Sequence, residues 1–108
     1  MNGMKSGTQL KFGDIILAEI PFVEINEVKK RPALVLFEEH NNVILMGITS
    51  NPLMKGIQIT KKEGALTNSI IKLNYIFTID KNKIIKKLFS LSKNKKDLIS
   101  REFIKKIK

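Results

Sequence analysis

Up to position 80, the apolar residues of this chain come in short runs cut by glycine, proline and asparagine, and that punctuation constrains the fold more than any other feature. Ile15–Ile20, Ala33–Phe37 and Val43–Ile48 are each of strand length, and Gly13–Asp14, Pro21, Pro32, Asn41–Asn42 and Asn51–Pro52 stand between or beside them. Runs this short, rich in Ile and Val, favour strands over helices. Pro21 is expected to end the first strand, because proline lacks a ladder donor. Polar Glu24–Lys30 then reads as a loop, and Pro32 opens Ala33–Phe37, whose unbroken apolar run suits a central strand covered on both faces. Asn41–Asn42 is the expected turn pair of a hairpin leading into Val43–Ile48. Gly56–Thr60 suggests another short strand, Lys61–Asn68 a loop around Gly64, and Ser69–Ile79 a strand or a bent pair of strands.

The last quarter reads differently. Ile84–Leu91 is open, since Ile84, Ile85, Leu88 and Leu91 fit a helical face while Leu88–Ser92 equally fits a strand. Beyond it, Asn94 with Asp97 three residues on resembles a capping arrangement, and Leu98, Ile99, Phe103, Ile104 and Ile107 form a stripe, predicting a helix over 94–107. The expected fold is therefore mainly β, a compact curled antiparallel sheet with a C-terminal helix packed on it. Length agrees: 108 residues suit one core, divided as a flexible N-terminal segment 1–11 and a single domain 12–108.

Composition excludes several chemistries. The chain has no cysteine and one histidine, so neither disulfides, thiolate catalysis nor an ordinary zinc site is available, and no metal or cofactor is expected. Met1–Gly7 shows no signal-peptide pattern and reads as a loose end, and no apolar stretch approaches membrane-span length, which points to the cytoplasm. The net charge of +10 is uneven. Residues 1–80 carry 9 basic and 8 acidic side chains (+1), and residues 81–108 carry 11 and 2 (+9). Such a tail is either a polyanion-binding surface or a solvated lysine face. Arginine is more informative: only Arg31 and Arg101 occur among 20 basic residues, so an arginine here points to a need for its planar fork of donors.

Several pieces then fall into a familiar order: Phe12–Gly13–Asp14–Ile15–Ile16, Lys30–Arg31–Pro32–Ala33–Leu34–Val35–Leu36, Ile48–Thr49–Ser50–Asn51, and Thr78–Ile79–Asp80–Lys81 followed by Leu91–Ser92–Lys93. In this order the chain resembles the PemK/MazF family of toxin endoribonucleases. The resemblance implies an SH3-like barrel, shared with the gyrase-inhibiting CcdB toxins. It also implies metal-independent cleavage of single-stranded RNA by attack of a ribose 2′-hydroxyl on the adjacent phosphate. A homodimer and a separate acidic antitoxin that covers the RNA surface are implied as well.

In-line attack builds negative charge on the non-bridging phosphate oxygens, so the site needs fixed donors. Arg31 supplies a guanidinium that grips phosphate but is too basic to donate a proton, so its role is electrostatic. The competing reading is a surface salt bridge with Glu24 or Glu27. Thr49 is the second matching catalytic position of the family, and Ser50 and Asn51 follow at the same turn as substrate contacts, unless these residues merely build that turn. Lys30 adds an ordinary cation beside Arg31. Lys72 and Asn74 are the further substrate contacts. They occupy the place of an Arg-x-Asp pattern found in some family members, and Asn74 cannot take the proton an aspartate there would take. Phe77 stands where the family commonly has a basic residue. His40 has a suitable intrinsic pKa for proton transfer but falls in the hairpin turn. Tyr75 and Phe77 are candidates for base stacking or for the core. A catalytically weak or inactive RNA- or protein-binding module on the same barrel is the alternative, and a gyrase-directed inhibitor rests on fold analogy alone.

Overall fold

In the computed structural model, residues 9–22 and 27–108 are described. Six strands, β1 Asp14–Phe22, β2 Glu27–Glu39, β3 Asn42–Thr49, β4 Ile57–Ile59, β5 Ser69–Asp80 and β6 Ile84–Ser90, precede one helix, α1 Lys93–Ile107. The strands form one antiparallel sheet in the order β4-β5-β3-β2-β1-β6. A single 3-10 turn, Lys81–Lys83, joins β5 to β6, although these strands lie on opposite sides of the sheet. So short a connection requires the sheet to curl until its two sides meet. Ile79 of β5 and Ile84 of β6 accordingly share a cluster with Ile16, Ala33, Val35 and Val43 from the middle strands.

Alternation along the strands makes two cores. Ala33 and Val35 face the inside of the curl, while Leu34 faces a second cluster with Met46, Ile71 and Ile99, the last from α1. Burial of Ala33, Leu34 and Val35 on both faces matches the expected central strand. Phe37 departs from that expectation and is half exposed, at 50 %. The register shifts between Val35 and Phe37, so Leu36 is an extra residue and Glu38, not Phe37, comes opposite the buried Val43. This bulge turns a carboxylate inward. There Glu38 accepts from the Lys81 ammonium at 2.8 Å, with Lys81 only 4 % exposed, and from the Leu10 N–H at 3.3 Å. The Lys81 N–H also donates to the Asn41 carbonyl at 2.8 Å. The closing turn is thereby clamped to the end of the β2–β3 hairpin.

Several local expectations change. Pro21 lies within β1 and does not end it: β6 pairs with β1 only over Asp14–Ala18, so β1 has one open side at Pro21, where a missing donor is tolerated. Residues 27–30, expected as loop, pair with β1, and Pro32 sits inside β2 instead of opening it; residues 23–26 of the expected loop lie outside the described residues. The hairpin turn is His40–Asn41, one position earlier than expected, with φ of 51° and 66°, a primed-turn geometry that asparagine and histidine accept better than most. Ile84–Ser90 resolves as strand. The α1 cap is Ser92, whose hydroxyl accepts from the Lys95 N–H at 3.2 Å, and not Asn94. Residues 1–8 of the expected loose segment lie outside the described residues, while Leu10 is buried.

Gly13, at φ +98°, makes the turn that brings Asp14 under β6. Burial by itself raises the Asp14 pKa, but hydrogen bonds from the Lys11 N–H at 3.0 Å and the Ser90 hydroxyl at 2.9 Å, with Lys87 at 3.3 Å, outweigh it and hold the carboxyl below its ordinary 3.8. A depressed folded-state pKa means that the unfolded chain binds more protons in that interval. Asp14 therefore stabilises the fold above pH 3.8 or so, and this contribution is lost as pH falls through the folded value. Asp14→Asn should flatten the acid limb of a stability-versus-pH curve measured by urea unfolding. For the clamp, Lys81→Met should destabilise by about 3 kcal/mol, the low end for breaking a buried pair. Adding Glu38→Leu should restore all but about 1 kcal/mol, the cost of the acceptor lost to Leu10.

Candidate active site

Arg31 and Thr49 stand on either side of the point where β2 and β3 part. Their last shared ladder pair is Ala33 with Gly47. Beyond it β2 continues beside β1, with Arg31 opposite Ala18, while β3 continues beside β5, with Thr49 opposite Ile70. Proline suits this branch point, since Pro32 has a ladder neighbour on the β1 side only. Arg31 and Thr49 stand two residues past the last pair on their respective strands, so both fall on the face of Ala33 and Gly47. Continuing the register would set one opposite the other. The fork leaves between the strands a cleft of about 170 Å³ lined by Arg31, Pro32 and Ser50, with Ile48, Thr67 and Ser69 among its walls.

The turn after β3 uses its own polar groups. Thr49 Oγ1 accepts from the Asn51 N–H at 3.2 Å, Asn51 Oδ1 accepts from the Leu53 N–H at 3.0 Å, and the Asn51 carbonyl accepts from the Met54 N–H at 3.2 Å. The Thr49 oxygen is thereby oriented as an acceptor, and its O–H remains to donate. The Asn51 side-chain oxygen serves the turn, so the structural reading suits Asn51 better than substrate contact does. Lys30 is exposed opposite Glu19 and lies on the sheet face away from Arg31.

Lys72 and Asn74 lie outside the cleft that Arg31 lines. They line a larger groove of about 550 Å³ between the Leu53–Gly56 loop, the bend of β5 and the Glu102 and Lys106 side chains of α1. His40 lies nine residues along β2 from Arg31, about 30 Å in an extended strand, which removes it from any chemistry at the fork. The basic last quarter comprises the Lys81–Lys83 turn, β6 and α1; on the helix Lys95 reaches Glu63 at 3.2 Å, Lys93 pairs with Asp97 and Lys105 with Glu102. Among the described residues no group of three His, Asp or Glu side chains converges as a metal site.

One arrangement at the fork was not anticipated. Tyr75 follows the Met46↔Ile76 pair, opposite Gly47, and lays its ring over that glycine; β5 then carries three extra residues before the register resumes at Ile48↔Ile71. A Cβ at Gly47 would run into the Tyr75 ring. The sequence signal was present, a lone glycine inside the apolar run of β3, which marks a close approach in a strand.

Comparison with known proteins agrees with this architecture. The family described as PemK-like, MazF-like toxin of type II toxin-antitoxin system matches residues 11–107, nearly the whole chain. A comparison with individual curated proteins gave no match. A six-stranded curled sheet with a C-terminal helix, matched over that span, makes the chain a member of the PemK/MazF toxin family of type II toxin–antitoxin systems.

Proposed function

We propose that the protein is the toxin's catalytic subunit, a metal-independent endoribonuclease that cuts single-stranded RNA at the β2–β3 fork. The observation that carries this reading is the placement of Arg31 and Thr49 on one face of the sheet, two residues beyond the Ala33–Gly47 pair. As the 2′-hydroxyl attacks and the 5′-oxygen leaves, the phosphate gains charge on its non-bridging oxygens. The Arg31 guanidinium neutralises that charge bidentately, and the Thr49 O–H, oriented by the Asn51 N–H, adds a neutral donor. Both side chains rise from paired strands, so little reorganisation accompanies the reaction. Ser50 in the adjoining cleft, with Lys30 on the outer face, steadies the flanking backbone. The products are a cyclic phosphate and a free 5′-hydroxyl, and an RNA substrate of this kind places the activity in the cytoplasm.

Membership of a toxin–antitoxin family implies an antitoxin partner, which we take to be an acidic protein matched to the net charge of +10. We take the active form to be a homodimer. In support, the stripe on α1 outruns the core: Ile99 is buried, but Ile104 is 46 % and Ile107 68 % exposed, and Leu53 beyond β3 is 89 % exposed. Apolar groups of this size gather at interfaces.

In EDTA, the wild type should cleave single-stranded RNA, and Arg31→Ala should lower kcat by about 100- to 1000-fold, the loss typical of removing one oxyanion donor. Equal cleavage by both would sink the assignment. Binding without cleavage by a folded wild type would favour the non-catalytic module, which the Asn74 position supports. Separately, Ile104→Glu with Ile107→Glu should shift sedimentation from dimer to monomer at micromolar concentration.

A further inference from the structure

Tyr75 is the only tyrosine of the chain, and there is no tryptophan. Large aromatic residues in a strand usually face the core, yet Tyr75 is 46 % exposed. Its position is nevertheless held from three sides. Gly47 lies beneath it, with no side chain to keep the ring off the backbone. Phe77, packed against the inner core, stands beside it with ring centroids 5.0 Å apart and planes tilted by 31°. The Lys72 ammonium lies over the ring, 5.3 Å from its centroid. An exposed ring whose orientation is already set loses little entropy when something stacks on it.

The neighbours of this ring identify what stacks. Arg31 and Thr49 share the face of Ala33 and Gly47, each one same-face step away, about 7 Å along a strand. A phosphate held at Arg31 and Thr49 therefore brings an adjoining base to the ring over Gly47, where the base takes the place of the Lys72 ammonium and frees that cation for the next phosphate. We infer that Tyr75 is a stacking platform for a nucleobase of the bound single strand, adjoining the phosphate site at the fork. The platform rests on the ribonuclease reading and adds to it a base-binding subsite. Stacking of this kind tolerates any base, so it grips the strand without choosing its sequence. Tyr75 stands where the regular register would bring it, opposite Gly47 next to the Met46–Ile76 pair, and the three extra residues of β5 follow on its far side, so that no paired strand continues beyond the ring.

The lone tyrosine makes the test direct, because all tyrosine fluorescence comes from this ring. Binding of non-cleavable 2′-fluoro RNA oligomers, followed by anisotropy of an end label, should quench that fluorescence saturably with the same midpoint. Tyr75→Leu should weaken binding by about 5- to 100-fold, with the salt slope unchanged because no phosphate contact is lost. Tyr75→Phe should bind close to wild type, and Gly47→Ala, which displaces the ring without removing it, should weaken binding and reduce the quench. Binding without quenching, together with wild-type affinity in Tyr75→Leu, would overturn the platform and leave the ribonuclease reading standing. Equal quenching by a base-free ribose-phosphate oligomer would also overturn it, since charge alone then suffices. Quenching by polyglutamate but not by RNA would assign the ring to a protein partner. No binding of single-stranded RNA by the folded wild type would remove both readings together.

Discussion

Lys81 is almost fully buried, and its ammonium, 2.8 Å from Glu38, ties the turn between β5 and β6 to the end of the β2–β3 hairpin. The contact fixes where the curl closes. β5 and β6 belong to opposite sides of the sheet, and three residues join them, so this turn brings the two sides together over the inner cluster. A charge pair in this place gives less net stability than its geometry suggests, because both ions lose water. What it supplies is position: only one register lets the carboxylate meet the ammonium, and the bulge at Leu36 sets that register.

The same curl explains why a site forms where it does. β2 and β3 pair through the middle of the sheet and then separate, because β2 follows β1 while β3 follows β5. A sheet that curls on itself parts its strands at a rim, and side chains at a rim border solvent. Arg31, Thr49 and Tyr75 all stand at this one. Arg31 and Thr49 stand on backbone paired with Ala18 and Ile70, and the Tyr75 ring rests on Gly47, so the groups are held in place. Rigid donors around an open space are the arrangement that charge-developing chemistry uses best.

Legibility in the sequence followed the range of the interactions. Strand runs, the hairpin and the terminal helix were readable because alternation and stripe depend on residues a few positions apart. The β2 boundary was not, since residues 27–30 become strand only by pairing with β1 and Pro32 is tolerated only because β3 has already departed. The helix cap shifted by two residues because Ser92 and Asn94 are equally able caps, and the choice falls to the point where β6 releases the chain. Of the site, Arg31 and Thr49 were named from motif order. That the Asn51 side-chain oxygen serves its own turn, and that Lys72 and Asn74 line a groove apart from the Arg31 cleft, were not legible, because the bend in β5 is invisible from either strand alone.

The sequence by itself determined that this chain is a mainly β protein with a terminal helix, without thiol chemistry, and with one arginine set before the proline that precedes its central apolar run. Those properties follow from composition and local periodicity, which do not depend on what packs against what. Only the tertiary structure decided which candidates share a face. Register shifts of one residue at Leu36 and three in β5 turn Glu38 inward to its lysine and carry Leu73 and Ile71 to the second core, away from the face of Phe77 and Ile79. In a strand the side-chain period is two, so an odd insertion reverses every face that follows it. That parity belongs to the pairing between strands and is written in neither strand alone.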